Sequence, residues 1–495
     1  MLASQIAGTG PQRIHFVGIG GTAMVAGARL AVEAGCEVRG SDNALYPPTS
    51  EMVAALGVPV ATAYAAENLY WRPDVVVIGN ALSRGNPEVE AVLERKLHYV
   101  SLPEWLKDAV LRARRPVVVC GTHGKTTTTA LAAFLLDRAG LEPGFLVGGQ
   151  PLDFPYSARL GAEGAPFVIE GDEYDTAFFD KRSKFFHYLP EIAVVTSIEF
   201  DHADIFDDVA EIERAFQLML RLVPRSGCTL LCADDARALA LKDHAHSRVV
   251  TYGFTEDADW RIERLGYSKR GLTRAAVYRD GRPFVELDVP LAGRHNLQNV
   301  VAAVTVASLL GAAPDDMKKA LPGFRGVRRR IEVFLEAKGV TFIDDFAHHP
   351  TAIRETIQAA REQWCGRSMD DGAGASHRGG RLWVLFEPRS NTTVTNRFQR
   401  ELEDAFACAD EVWLGPLYRP ERVAPASRLD REGLVRALAT HRVAAHCAAD
   451  ASEIVEHVAD NAWRGDVVLV LSNGAFDGIH DKLREAFSSE QSLDQ

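Results

Sequence analysis

Short apolar runs rich in valine and isoleucine recur along this chain, and each closes on glycine, asparagine, aspartate or histidine. "RIHFVGIGG", "EVRGSD", "PDVVVIGN" and "HYVSL" form a first group. "PVVVCGTHG", "FVIEGDEYD" and "IAVVTSIEFDH" form a second; "VTFIDDFAHHP", "RLWVLFEPRS", "EVWLGP" and "DVVLVLSNGA" form a third. Uninterrupted runs of this kind signal strands buried on both faces, as parallel strands are, with functional residues at their carboxyl ends. Stretches of roughly 12–18 residues with helical spacing fit between them. The pattern predicts an α/β fold built three times over, with domains at 1–112, 113–325 and 326–495. "RARRP" (112–116) and "FRGVRRRIE" (324–332) read as hinges, and the polar, glycine-rich "GRSMDDGAGASHRGGR" (366–381) as a mobile surface loop.

Composition narrows the partners. A chain of 495 residues suits several domains of about 100–200 residues each. The formal charge, 55 − 67 = −12, argues against a nucleic-acid partner, though not against a small anion held locally. Seven scattered cysteines without a CxxC pair read as reduced thiols. The start of the chain lacks a basic segment followed by an apolar one, and no run reaches about 18 apolar residues. A cytoplasmic protein with no membrane insertion and no obligate protein partner is the expectation.

"CGTHGKTTTT" (120–129) follows a β-branched strand and precedes "ALAAFLLDRAG", which has helical apolar spacing and ends in glycine. Strand, tight loop and helix in that order make a phosphate site, because a helix N-terminus presents unpaired N–H groups and the positive end of its dipole. The loop is shorter than the usual phosphate-binding loop: the first glycine is Gly121, where the longer spelling would place it at Val119. Gly121, Thr122, His123, Gly124, Lys125, Thr126 and Thr127 are the candidate contacts, with Lys125 on the terminal phosphates of ATP and the Thr126 hydroxyl on Mg²⁺. Magnesium needs hard oxygen ligands. Two strand ends supply acids: Glu170, Asp172 and Glu173 in one, Asp201, His202 and Asp204 in the other. Side chains alternate along a strand, so only part of each cluster can serve.

"VGIGGTAM" places Gly18, Gly20, Gly21 and Ala23 after the first strand, and Asp42 closes the next one. By spacing this is a dinucleotide fingerprint, and alone it would suggest a nicotinamide dehydrogenase. The physics says only that a diphosphate can sit on this helix N-terminus.

"GTHGKTTTT", "GDEYD", "EFDHAD", "GRHNLQN" and "DDFAHHP" occur in the order seen in Mur ligases, ATP-dependent amide-forming enzymes of peptidoglycan metabolism, and the chain resembles that family from about Arg13 to about Phe487. The resemblance implies a Rossmann-like N-terminal domain holding UDP-N-acetylmuramate, a central P-loop ATPase-type domain, and a C-terminal Rossmann-like domain that takes the amine substrate and closes on ATP. It also makes the short loop a family variant. Gly18, Gly20, Gly21, Ser41 and Asp42 then belong to the uridine nucleotide rather than to NAD. "GSDNALYPPTSEMVAALGV", "EYDTAFFDKRSKFFHY", "FDHADIFDD" and "EPRSNT" look like one branch, which joins L-alanyl-γ-D-glutamyl-meso-diaminopimelate to the acceptor during cell-wall recycling. A second branch adds L-alanine to the same acceptor and is the alternative.

Carried over residue by residue, the resemblance puts Lys125 on the β- and γ-phosphates. Thr126, Glu173 and His202 fall on magnesium, and His295 and Asn296 on the adenine side. Asp345 falls on the ribose, and His348 in the ordering of the closed site. Arg329 is expected to reach the phosphates and Arg389 a carboxylate of the incoming peptide, a task suited to a guanidinium. Ser197 stands where the family usually has asparagine. The stretch after Asp201-His202 contains no lysine, so a carbamylated lysine ligand is not expected. The hinges are expected to bend on binding. A dehydrogenase would leave the loop at 121–127 and the acidic clusters unused, and a P-loop regulator would hydrolyse ATP without needing a carboxylate or an amine.

Overall fold

The computed structural model describes residues 11–45, 49–201, 205–365 and 380–488. A first sheet holds β1 (Arg13–Val17), β2 (Glu37–Ser41), β3 (Val60–Ala61), β4 (Val75–Ile78) and β5 (Tyr99–Ser101), in the order β3-β2-β1-β4-β5 and all parallel. Its strands are apolar on both faces because helices cover both, and Phe16, Val76, Val77 and Ile78 have no exposed surface. The strand order reverses beside β1, and the crevice at its carboxyl end is where such sheets take ligands.

The central sheet contains β6 (Arg115–Cys120), β7 (Gly144–Leu146), β8 (Ala158–Arg159) and β9 (Pro166–Gly171). After the hairpin of β10 (Asp175–Ala177) and β11 (Asp180–Ser183), it resumes with β12 (Ile192–Val195), β13 (Cys228–Cys232), β14 (Arg248–Gly253), β15 (Trp260–Tyr267), β16 (Thr273–Arg279) and β17 (Arg282–Val289). Their order is β17-β16-β15-β14-β13-β12-β6-β9-β7-β8. β6 therefore lies between β9 and β12, parallel to both, and the loops after all three open at one edge.

The antiparallel meander β15–β16–β17 adds to the expected α/β pattern. Its strands alternate buried and exposed positions instead of running apolar throughout. The signal for it was the Asp280-Gly281 pair: both residues have positive φ (50° and 72°), as a tight two-residue hairpin turn requires.

The third sheet holds β18 (Glu332–Ala337), β19 (Val340–Asp345), β20 (Leu382–Phe386), β21 (Glu411–Leu414), β22 (Ala444–Cys447) and β23 (Val467–Leu471), ordered β18-β19-β23-β20-β21-β22. Only β18 is antiparallel to its neighbour. The chain forms two compact units: residues up to 200, 205–290 and 298–326 make the first, which contains the first two sheets; residues 201–204, 291–297 and those from 327 onward make the second. Among the described residues no helix is long and apolar enough to cross a membrane. The loop expected at 366–381 lies outside the described residues except for Gly380 and Arg381.

Candidate active site

β6 is fully buried up to Cys120, and the loop leaving it is held against the end of β12. Gly121 has φ +126°, and a Cβ there would lie 2.1 Å from Thr196 Oγ1. Gly124 has φ +81°, and a Cβ there would lie 2.4 Å from Asn299 Oδ1. These two contacts explain why glycine stands at 121 and 124: the short loop is pressed between β12 and the helix Arg294–Leu309, and only a residue without a side chain fits. Thr122 N–H donates to the Ser197 carbonyl (2.9 Å) and His123 N–H to Ser197 Oγ (3.0 Å). Glu199 N–H donates to Thr122 Oγ1 (2.9 Å), and its carboxylate lies 2.7 Å from His123 Nε2. Thr128 Oγ1 bonds Asn299 Oδ1 at 3.1 Å. Ser197, short as it is, binds both sides of the loop, a role the sequence left open.

Lys125 opens the helix Lys125–Arg138. Its ammonium donates to both oxygens of Glu173 (3.0 and 2.8 Å) and to the Gly121 carbonyl (2.7 Å). Burial opposes that charge, but the carboxylates of Glu173, Asp172 and Glu170 outweigh it and hold the ammonium above the ordinary lysine range. Lys125 is therefore a fixed positive charge at the helix mouth. Thr126 Oγ1 donates to Glu170 Oε2 at 3.2 Å, and Glu170 Oε1 accepts from Gly148 N–H. The three acids at the end of β9 diverge as the chain leaves the strand: Glu170 faces Thr126, Asp172 pairs with Lys184 (2.7 Å), and Glu173 turns back to Lys125. Thr127 is buried in the same turn. Glu170 thus places a carboxylate on the Thr126 hydroxyl. His202 and Asp204 lie outside the described residues.

The glycine loop after β1 is held by the residues that close β2. Ser41 accepts at its carbonyl from Gly18 N–H (2.8 Å) and Ile19 N–H (3.1 Å), and its fully buried hydroxyl donates to Glu88 Oε2 at 2.6 Å. Asp42 Oδ2 accepts from Gly20 N–H at 2.8 Å. Ser41 and Asp42 therefore both brace the glycine loop. At Gly20 a Cβ would lie 2.5 Å from Leu45 and 2.8 Å from the Asp42 carboxylate, so the bond to Asp42 depends on glycine; Gly18 is left-handed at φ +79°. Gly21 leads directly into the helix Thr22–Glu33, whose start has no side-chain cap, a geometry suited to an anion. Glu88 was missed. It is fully buried and also meets His15 Nε2 (3.1 Å), Asn68 Nδ2 and Ala65 N–H. Burial raises its pKa, yet the bonds from His15, Ser41 and Asn68 overcome this and leave it below the usual carboxylate range.

In the second unit, Asp345 ends β19 and accepts from Ile331 N–H and Ala347 N–H, each at 2.7 Å; burial raises its carboxyl pKa. Arg329, at φ +60°, donates to Asp344 (3.1 Å) and to the Ser472 carbonyl (2.6 Å). Its guanidinium bonds this unit's own strand ends. His295 lies 3.6 Å from Glu355, and the Asn296 amide donates to the Ala292 carbonyl. His348 bonds the Phe346 carbonyl through Nδ1 at 3.0 Å. Arg389 stacks 3.8 Å over the Tyr418 ring and reaches Glu387 at 3.3 Å. Gly474 makes room for it, since a Cβ there would lie 2.0 Å from Arg389 Nε. A held, planar cation at the end of β20 is suited to a carboxylate.

Comparison with known proteins agrees with this layout. Residues 13–114 match the family described as Mur ligase family, catalytic domain; residues 119–307 match the Mur ligase middle domain; residues 329–474 match the Mur ligase, glutamate ligase domain. The chain is similar to the UDP-N-acetylmuramate–L-alanyl-gamma-D-glutamyl-meso-2,6-diaminoheptandioate ligase of Escherichia coli K12, with 41% identity across 97% of this chain and 99% of that protein. It is 33% identical to the UDP-N-acetylmuramate–L-alanine ligase of Bordetella avium, across 96% and 98% of the two chains. Among solved structures, a murein peptide ligase from Psychrobacter arcticus superposes with a TM-score of 0.70 at 32% identity, covering 97% of this chain and all of that one.

Proposed function

The chain belongs to the Mur ligase family, and on that premise we propose that it is an ATP-dependent ligase of peptidoglycan recycling. It joins L-alanyl-γ-D-glutamyl-meso-diaminopimelate to the lactyl carboxylate of UDP-N-acetylmuramate, in the cytoplasm, releasing ADP and phosphate. The observation that carries the chemistry is the Lys125 ammonium held by Glu173 at the mouth of the helix that follows the glycine loop. Residues 1–112 hold the uridine nucleotide, 113–325 bind ATP, and 326–495 take the peptide.

A carboxylate is a poor acceptor for an amine, so it first takes the γ-phosphoryl group of ATP, releasing ADP, and the peptide's amine then attacks the acyl carbon and displaces phosphate to leave the amide. The chain's part is positioning and charge neutralisation. The N–H groups at the uncapped start of the helix Lys125–Arg138 and the Lys125 ammonium hold the phosphates in line. Because neighbouring carboxylates keep Lys125 protonated, it serves as a constant charge and not as a base. The Thr126 hydroxyl with the Glu170 and Glu173 carboxylates forms a set of hard oxygen donors, which fits Mg²⁺. That ion would supply further positive charge against the transferring phosphoryl group. Arg389, stacked and forked, receives a carboxylate of the peptide.

Phosphate release from Mg-ATP that requires both UDP-N-acetylmuramate and the tripeptide tests this reading. Release without the acceptor would overturn it. The L-alanine ligase reading shares the mechanism and differs only in the amine.

A further inference from the structure

The hairpin β10–β11 joins the two ends of the reaction path. Two residues before it, Glu173 grips Lys125. At its first residue, Asp175 Oδ1 accepts from the Asn80 amide at 3.1 Å. Asn80 closes β4 beside the first glycine loop: Gly79 N–H bonds the Val17 carbonyl, and Leu82 lies 3.3 Å from where a Gly18 Cβ would be. The hairpin is anchored by Phe179, edge-on to Tyr99 (centroids 5.1 Å), and by Asp180, which accepts from Arg182 and His187. Lys181 stands between Asp180 and Arg182 on β11 and so faces the other way from both. Its side chain is 69% exposed, and its ammonium sits 2.5 Å from Asp175 Oδ2.

An acceptor whose diphosphate lies on the Gly18–Gly21 loop and whose carboxylate meets the phosphates at Lys125 must pass this hairpin. Such a molecule is anionic at both ends. Arg182 is held by both oxygens of Asp180, whereas Lys181 meets Asp175 through a single contact from a side chain that is itself mostly in solvent, and solvent-screened ion pairs are weak. Moving the ammonium from Asp175 to a bound anion costs little, and Asp175 keeps its bond to Asn80. We infer that Lys181 is a binding group for the anionic acceptor, delivered by the central sheet to the rim of the first. This rests on the ligase reading above.

The test is calorimetric titration of the full chain with UDP-N-acetylmuramate and, separately, UDP-N-acetylglucosamine, which lacks the lactyl carboxylate. Lys181→Met is expected to weaken UDP-N-acetylmuramate binding about tenfold, the worth of one charge-assisted contact, and Lys181→Arg to restore most of it. The melting temperature should not change, because the side chain is exposed. A loss shared by both ligands assigns Lys181 to the diphosphate, and a loss confined to UDP-N-acetylmuramate assigns it to the carboxylate; either supports the inference. Equal binding by wild type and Lys181→Met overturns the inference alone. A wild-type chain that binds neither ligand overturns the ligase reading and this inference together.

Discussion

Lys125→Met removes the charge at the centre of the site and strands its partner. Glu173 is 3% exposed, and both its oxygens lie within 3.0 Å of the ammonium. Removing one member of a buried pair costs about 3–5 kcal/mol, because the remaining charge loses the counter-ion that offset its desolvation. Glu173→Gln alone strands the ammonium, which keeps the Gly121 carbonyl, so its cost should fall at the lower end of that range. The double variant buries only a neutral amide and should cost about 1–3 kcal/mol, the penalty of an unmet polar group. The two single losses should therefore sum to well above the double loss, with a coupling of at least about 2 kcal/mol. Urea unfolding of the four proteins at pH 7.5 measures this cycle. Losses that add to within about 0.5 kcal/mol would show that the two residues act independently and would refute the reading of a charge held by its neighbour. Turnover should be lost in Lys125→Met and in the double variant, while UDP-N-acetylmuramate binding stays within twofold of wild type, since its loop belongs to another sheet.

Gly124→Ala should reduce turnover at least tenfold, since a left-handed non-glycine residue costs about 1–2 kcal/mol before the contact with Asn299 is counted; steady-state assays against ATP check this. Glu88 has a lowered pKa, so its contribution to stability is present above the ordinary glutamate value of about 4.3 and is lost as pH falls through the folded value. The stability advantage of wild type over Glu88→Gln should be flat from pH 6 to 8 and shrink below about pH 4.3, as denaturation at each pH would show. Arg389→Lys keeps the charge but loses the fork and the stacking on Tyr418; KM for the peptide should rise about tenfold with KM for ATP unchanged. Ser197→Ala leaves His123 N–H without its hydroxyl partner and should cost about 1 kcal/mol, with Ser197→Asn recovering part of it in thermal unfolding.

The parallel strands of the three sheets were legible because burial on both faces writes itself as an uninterrupted apolar run. The phosphate loop was legible because Gly121, Gly124 and Lys125 must stand at fixed distances from a strand end. Side-chain direction was not legible. Ser41 and Asp42 close a strand at the spacing of ligand contacts, yet one hydroxyl turns inward to Glu88 and the other residue's carboxylate caps Gly20. Glu88 itself looked like an ordinary first-turn acid behind the Asn86 cap. Its partners His15, Ser41 and Asn68 come from three separate segments, so no local pattern could mark it. Arg329 was read by its place in a basic hinge; its bonds to Asp344 and Ser472 arise only when β19 and β23 pair.

The central claim is the identity of the amine. The most direct measurement is mass-spectrometric detection of the nucleotide product formed from Mg-ATP and UDP-N-acetylmuramate with equal concentrations of L-alanyl-γ-D-glutamyl-meso-diaminopimelate and L-alanine. The account requires the tripeptide adduct to dominate, with ADP formed in equal amount. A dominant L-alanine adduct would contradict the assignment and move the protein to the other branch of its family, with the phosphate site unchanged.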